Sequence, residues 1–85
     1  MDEIQNLLIK TTELTSDQII DVLAAIGKKG DIIILKNDGL RHSNNYTVII
    51  SSGSSKFGSI RYDASNLSEA LKKALRDYVE ALERS

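Results

Sequence analysis

The chain has no cysteine and only one histidine. Without thiols there is no disulfide framework, thiolate zinc site, iron–sulfur cluster or cysteine nucleophile. With His42 alone there is no histidine pair for a metal and no His-Glu-x-x-His spacing. No charge of one sign dominates: 11 basic against 12 acidic residues leave a net charge of −1, which argues against a general polyanion binder. The longest apolar run is Ile32–Leu35, far short of the ~20 residues that span a bilayer. Met1-Asp2-Glu3 opens without the basic and apolar regions of a signal peptide, so a soluble cytoplasmic protein is expected. Glycine-rich phosphate loops are absent too. Gly53-Ser54-Ser55-Lys56 lacks the Gly-x-x-x-x-Gly-Lys spacing and reads as a hairpin tip.

What remains is enough for one small domain over residues 1–85. Apolar residues form 41% of the chain, sufficient for a core. From Leu67 the apolar positions run Ala70, Leu71, Ala74, Leu75, Tyr78, Val79 and Leu82, a spacing that only a helix aligns on one face. Asn66 is placed to cap it, with Glu69 completing a capping box, so a helix is predicted over 66–83. Opposite charges at i,i+4, beginning with Glu69 and Lys73, make its other face a solvated one. A second helix is predicted over 15–27. Thr15 and Gln18 form its capping box, Leu14 and Ile19 its hydrophobic staple, and Gly27 its left-handed stop. Residues 1–13 form an N-terminal segment that fits a short helix through Ile4, Leu7 and Leu8, or a strand through Leu7–Lys10. The helix is favoured.

Between the helices, residues 31–62 carry three runs of strand character: Asp31–Lys36, Tyr46–Ser51 and Lys56–Tyr62. Asn37-Asp38-Gly39 is a turn signal. A three-residue loop at Gly53–Ser55 pairs Tyr46 with Tyr62, Val48 with Ile60 and Ile50 with Gly58, which puts the apolar side chains on one face. The expected fold is α+β in two layers. Its order is α-β-β-β-α, with a three-stranded antiparallel meander and both helices packed on one face.

Thr47, Ile49, Ser51, Phe57, Ser59 and Arg61 then look away from the helices, joined by either Ile32 and Ile34 or Ile33 and Leu35. An apolar cluster of that size on a small monomer asks for a cover. The N-terminal segment, a second chain or another protein could each provide it. The expected function is therefore a small non-catalytic binding module, such as an accessory or inhibitor protein. It would act by protein contact or as a homodimer through Thr47, Ile49, Phe57 and Arg61, with no metal and no cofactor.

Two other readings stay open. One is a nucleic-acid-binding domain using Lys36, Arg41, Lys56 and Arg61, with steeply salt-dependent binding. The helix–three strands–helix order resembles the double-stranded-RNA-binding domain. Tyr46-Thr47-Val48-Ile49-Ile50 is similar to that family's second strand, and Ser65–Leu75 to its last helix. The resemblance implies phosphate contacts from lysines at the start of that helix, where this chain reads Ser65-Asn66-Leu67-Ser68-Glu69-Ala70. Leu67-Ser68-Glu69-Ala70-Leu71 after a meander also resembles the helix of HicB-type antitoxins. The other reading is a small enzyme with His42 as general acid–base and Arg41 holding an anion.

Overall fold

A computed structural model of the chain describes residues 4–5 and 13–84. Helix α1 spans Ser16–Lys28, strands β1, β2 and β3 span Ile32–Asn37, Tyr46–Ser51 and Ile60–Ala64, and helix α2 spans Leu67–Arg84. The strands form one antiparallel sheet in the order β1-β2-β3, so the fold is the expected α+β arrangement. No helix among the described residues is long and apolar enough to cross a membrane.

Local chemistry accounts for the helix ends. The Thr15 hydroxyl accepts from the Gln18 amide and the Gln18 side chain accepts from the Thr15 amide, a complete capping box. At the other end the helix passes through Gly27 and ends at Lys28, one residue beyond the expected bound, with its left-handed residue three positions later than expected. Gly30 adopts a φ of 83°, its amide donates to the Gly27 carbonyl and the Asp31 amide donates to that of Ile26. That is a Schellman closure with Gly30 as the left-handed residue. Gly27 therefore serves as an ordinary last-turn residue. Helix α2 opens with half of the expected capping box: the Asn66 side chain accepts from the Glu69 amide, but the Glu69 carboxylate turns forward to Lys73 at 3.2 Å instead of back to the Asn66 amide.

Alternation along the strands decides what each face carries. Val48 and Ile50 on the central strand are fully buried, and Ile33, Leu35, Ile60 and Tyr62 pack beside them against the helices. Val22 and Ile26 of α1 and Leu71, Leu75 and Tyr78 of α2 complete the same core. Ile4 joins it at 1% exposure, and Gln5 donates to Glu83 near the end of α2 at 3.2 Å. Ile4 thus belongs to the helix side of the sheet. Leu7, Leu8 and Ile9, the rest of the proposed internal cover, lie outside the described residues.

The hairpin register differs from the expected one by two residues. Val48 pairs with Tyr62, Ile50 with Ile60 and Tyr46 with Ala64, so β3 is Ile60–Ala64 and residues 52–59 form a longer connection. A slide of two preserves which face each side chain occupies, so alternation alone does not distinguish the two registers. Packing does: Ile50 meets Ile60, where the expected register offered it only Gly58. The connection is held by hydrogen bonds. The Ser52 hydroxyl accepts from the Ser54 and Lys56 amides, and the Gly53 amide donates to Asp31.

Candidate interaction surface

The side of the sheet away from the helices is a grid of nine side chains in three cross-strand rows. In order from β1 to β3 the rows are Ile32, Ser51, Ser59, then Ile34, Ile49, Arg61, then Lys36, Thr47, Asp63. The two serines stand 3.2 Å apart and mark the continuation of the β2–β3 register. One corner is apolar, with Ile32 at 53% and Ile34 at 49% exposure beside a half-buried Ile49. The opposite corner is polar and built around Asp63. The Thr47 hydroxyl donates to Asp63 at 2.6 Å, and the Arg61 and Arg41 guanidinium groups stand 3.7 and 3.9 Å from its carboxylate. Arg41 arrives from the β1–β2 loop, which turns where Leu40 donates to the Asp38 side chain and Arg41 to its carbonyl.

Three of the four expected contact residues therefore share this face: Thr47, Ile49 and Arg61. Thr47 is buried between its cross-strand neighbours Lys36 and Asp63, so its role there is to hold the carboxylate. Phe57 is a correction. It sits in the β2–β3 connection and turns to the helix side, its ring edge-on to Tyr78 with centroids 5.8 Å apart. The longer connection frees Phe57 from strand alternation, and burial against the core outweighs exposure on the open face. Ile32 and Ile34, left undecided between two faces by an all-apolar strand, take its place.

Asp63 escaped the sequence reading, although a signal existed. It follows Arg61 by two positions and so shares its face, and the two-residue slide puts it opposite Thr47. The Thr47 hydrogen bond, with the charges of Arg61 and Arg41, holds its carboxyl below the ordinary value of 3.8 despite partial desolvation. A carboxylate with a lowered folded-state pKa contributes stability above the unfolded value and loses it as pH falls through the folded one. Asp63→Asn is accordingly expected to flatten the loss of stability below about pH 4. Urea midpoints taken on the acid limb for both proteins test this, and parallel acid limbs would count against it.

The residues of the other readings are dispersed. Lys56 lies in the β2–β3 connection, at the opposite end of the sheet from Arg41, so the four expected basic residues do not form one patch. His42 is exposed in the β1–β2 loop and makes no hydrogen bond or ion pair among the described residues. Among those residues no three His, Asp or Glu side chains gather as a metal site would require. An open cleft of about 440 Å³ runs along the first turns of α2 between Glu13 and Arg76. Four of its polar residues serve the fold: Ser68 accepts from the Leu14 amide at 2.8 Å, Asn66 caps the helix and Lys73 pairs with Glu69. Compared with family models, curated proteins and solved structures, the chain matches none of them.

Proposed function

We propose that the chain is a non-catalytic binding module, of the accessory or inhibitor kind, which works by protein contact on the outer face of its sheet, with further copies of itself as partners. The observation that carries this reading is the exposed isoleucine corner. Ile32 and Ile34 are each about half exposed beside Ile49, while both helices lie on the other face. Scattered surface isoleucines are ordinary, but three contiguous ones on a pleated surface form a patch that contact would bury.

Each buried side chain of this size is worth about 1.5–3 kcal/mol when removed from water. Light scattering over a range of protein concentrations tests the reading. The mass of the wild type is expected to rise above that of a monomer. Ile32→Thr/Ile34→Thr keeps β-branched residues in the strand, so it should fold normally and remain monomeric. A wild type that is monomeric throughout, or a double variant that associates equally well, would sink the proposal.

A further inference from the structure

Charge decides how such copies could meet. The outer face and its rim carry Lys36, Arg41 and Arg61 against the two carboxylates Asp38 and Asp63, three positive charges to two negative, on a chain whose total is −1. Packing two outer faces together would bring two cationic surfaces into contact, so a face-to-face pair opposes its own electrostatics. The complement of this face is a surface that is apolar and acidic at once. Helix α1 presents one.

On α1 the buried stripe is Ile19, Val22 and Ile26. At 100° per residue, Asp17, Ile20, Asp21 and Ala24 lie diametrically opposite, and all four are exposed, Ile20 at 62%. Lys28 ends the stripe one turn beyond Ala24, so its acidic half is the N-terminal one. Asp17 and Asp21 thus flank an exposed isoleucine, as cations adjoin the isoleucine corner of the sheet.

Dimensions agree as well. Three strands at ~4.8 Å and three rows at ~6.8 Å give the face an extent of roughly 14 by 20 Å. A helix is about 10 Å across, and the stripe from Asp17 to Ala24 is about 10 Å long. A helix laid on a sheet is also the ordinary way to cover a β face.

We infer that the outer sheet face of one copy receives the outward face of α1 from a second copy, with Ile20 against the isoleucine corner and Asp17 and Asp21 toward Arg61 and Lys36. This inference rests on the self-association proposed above and specifies its geometry. Because α1 packs on the inner side of the sheet, the two surfaces point in opposite directions. The contact is heterologous, and each added copy leaves one sheet face and one helix face free. The mass should therefore grow with concentration without stopping at two copies, and should fall as salt screens the charges.

Complementation between two broken surfaces tests this. Ile20→Lys/Asp21→Lys damages only the helix face, and Ile32→Thr/Ile34→Thr only the sheet face. Each variant alone is expected to be a folded monomer by circular dichroism and sedimentation equilibrium. Mixed in equal amounts they retain one intact surface each and should form a 1:1 pair, doubling the mass without further growth. If the helix double variant does not fold, Asp21→Lys alone should weaken association about tenfold.

A helix-face variant that associates as the wild type does would overturn the head-to-tail contact and leave the proposed function standing. So would a wild type that stops at two copies, the result expected of a face-to-face pair. A mixture that stays monomeric also overturns it. A wild type that never associates removes the self-association proposal as well.

Discussion

Tyr78→Ala is expected to cost about 3–5 kcal/mol, much of the roughly 4–13 kcal/mol available to 85 residues. Among the described residues Tyr78 is the largest fully buried side chain. Its ring takes the edge of Phe57 at 5.8 Å with the planes 76° apart. Its hydroxyl donates to Asp31 at 2.6 Å, and the other oxygen of Asp31 accepts from the Gly53 amide at 3.0 Å. One side chain of α2 therefore ties together the start of β1 and the β2–β3 connection. Truncation to alanine opens a cavity, removes the partner of Phe57 and deprives Asp31 of its buried donor. Tyr78→Phe keeps the ring and should lose only the hydrogen bond to a charged group, about 1.5–3 kcal/mol. Urea unfolding at 25 °C separates the two contributions. A phenylalanine variant as unstable as the alanine one would mean that the ring packing contributes nothing.

Gly53→Ala is expected to destabilise by about 1–3 kcal/mol, the range for forcing atoms into an occupied space. A Cβ at position 53 would lie 1.8 Å from the Gly30 carbonyl oxygen and 2.9 Å from its carbon. Both obstacles are backbone, and Gly30 is held by the closure of α1, so neither side can rotate away. The connection must move, which also lengthens the hydrogen bond from the Gly53 amide to Asp31. Gly39→Ala is the control. Nothing lies within 4 Å of its added Cβ, so its midpoint should stay within about 0.5 kcal/mol of the wild type. Equal midpoints for the two alanine variants would show that the Gly30–Gly53 approach is not a constraint.

Both predictions concern one junction, and neither could be drawn from the sequence. Asp31 read as a charge at the end of an apolar run and Tyr78 as one more core position. Only the fold brings them within hydrogen-bond distance across 47 positions of chain. The Ser68 hydroxyl that accepts from the Leu14 amide across 54 positions is of the same kind. In the sequence it is merely a small polar residue in the first turn of a helix.

The features legible in advance are those set by neighbours in the chain. The capping residues Thr15, Gln18 and Asn66 compete for amides within three positions, so their effect is written locally. The periodicity of α2 and the alternation of β2 likewise assign each side chain to a face before any partner is known. The order of elements and the outward placement of Thr47, Ile49 and Arg61 follow from them. What chain-local patterns leave open is any choice between arrangements that satisfy them equally. A two-residue slide keeps every face, so burial of Ile50 against Ile60 set the register and carried Asp63 to Thr47. An all-apolar β1 satisfies either orientation, and packing against α1 turned Ile33 and Leu35 inward, exposing Ile32 and Ile34. Phe57 left the outer face because the connection was long enough to reach Tyr78, and burial against an aromatic ring is worth more than a place on an open strand.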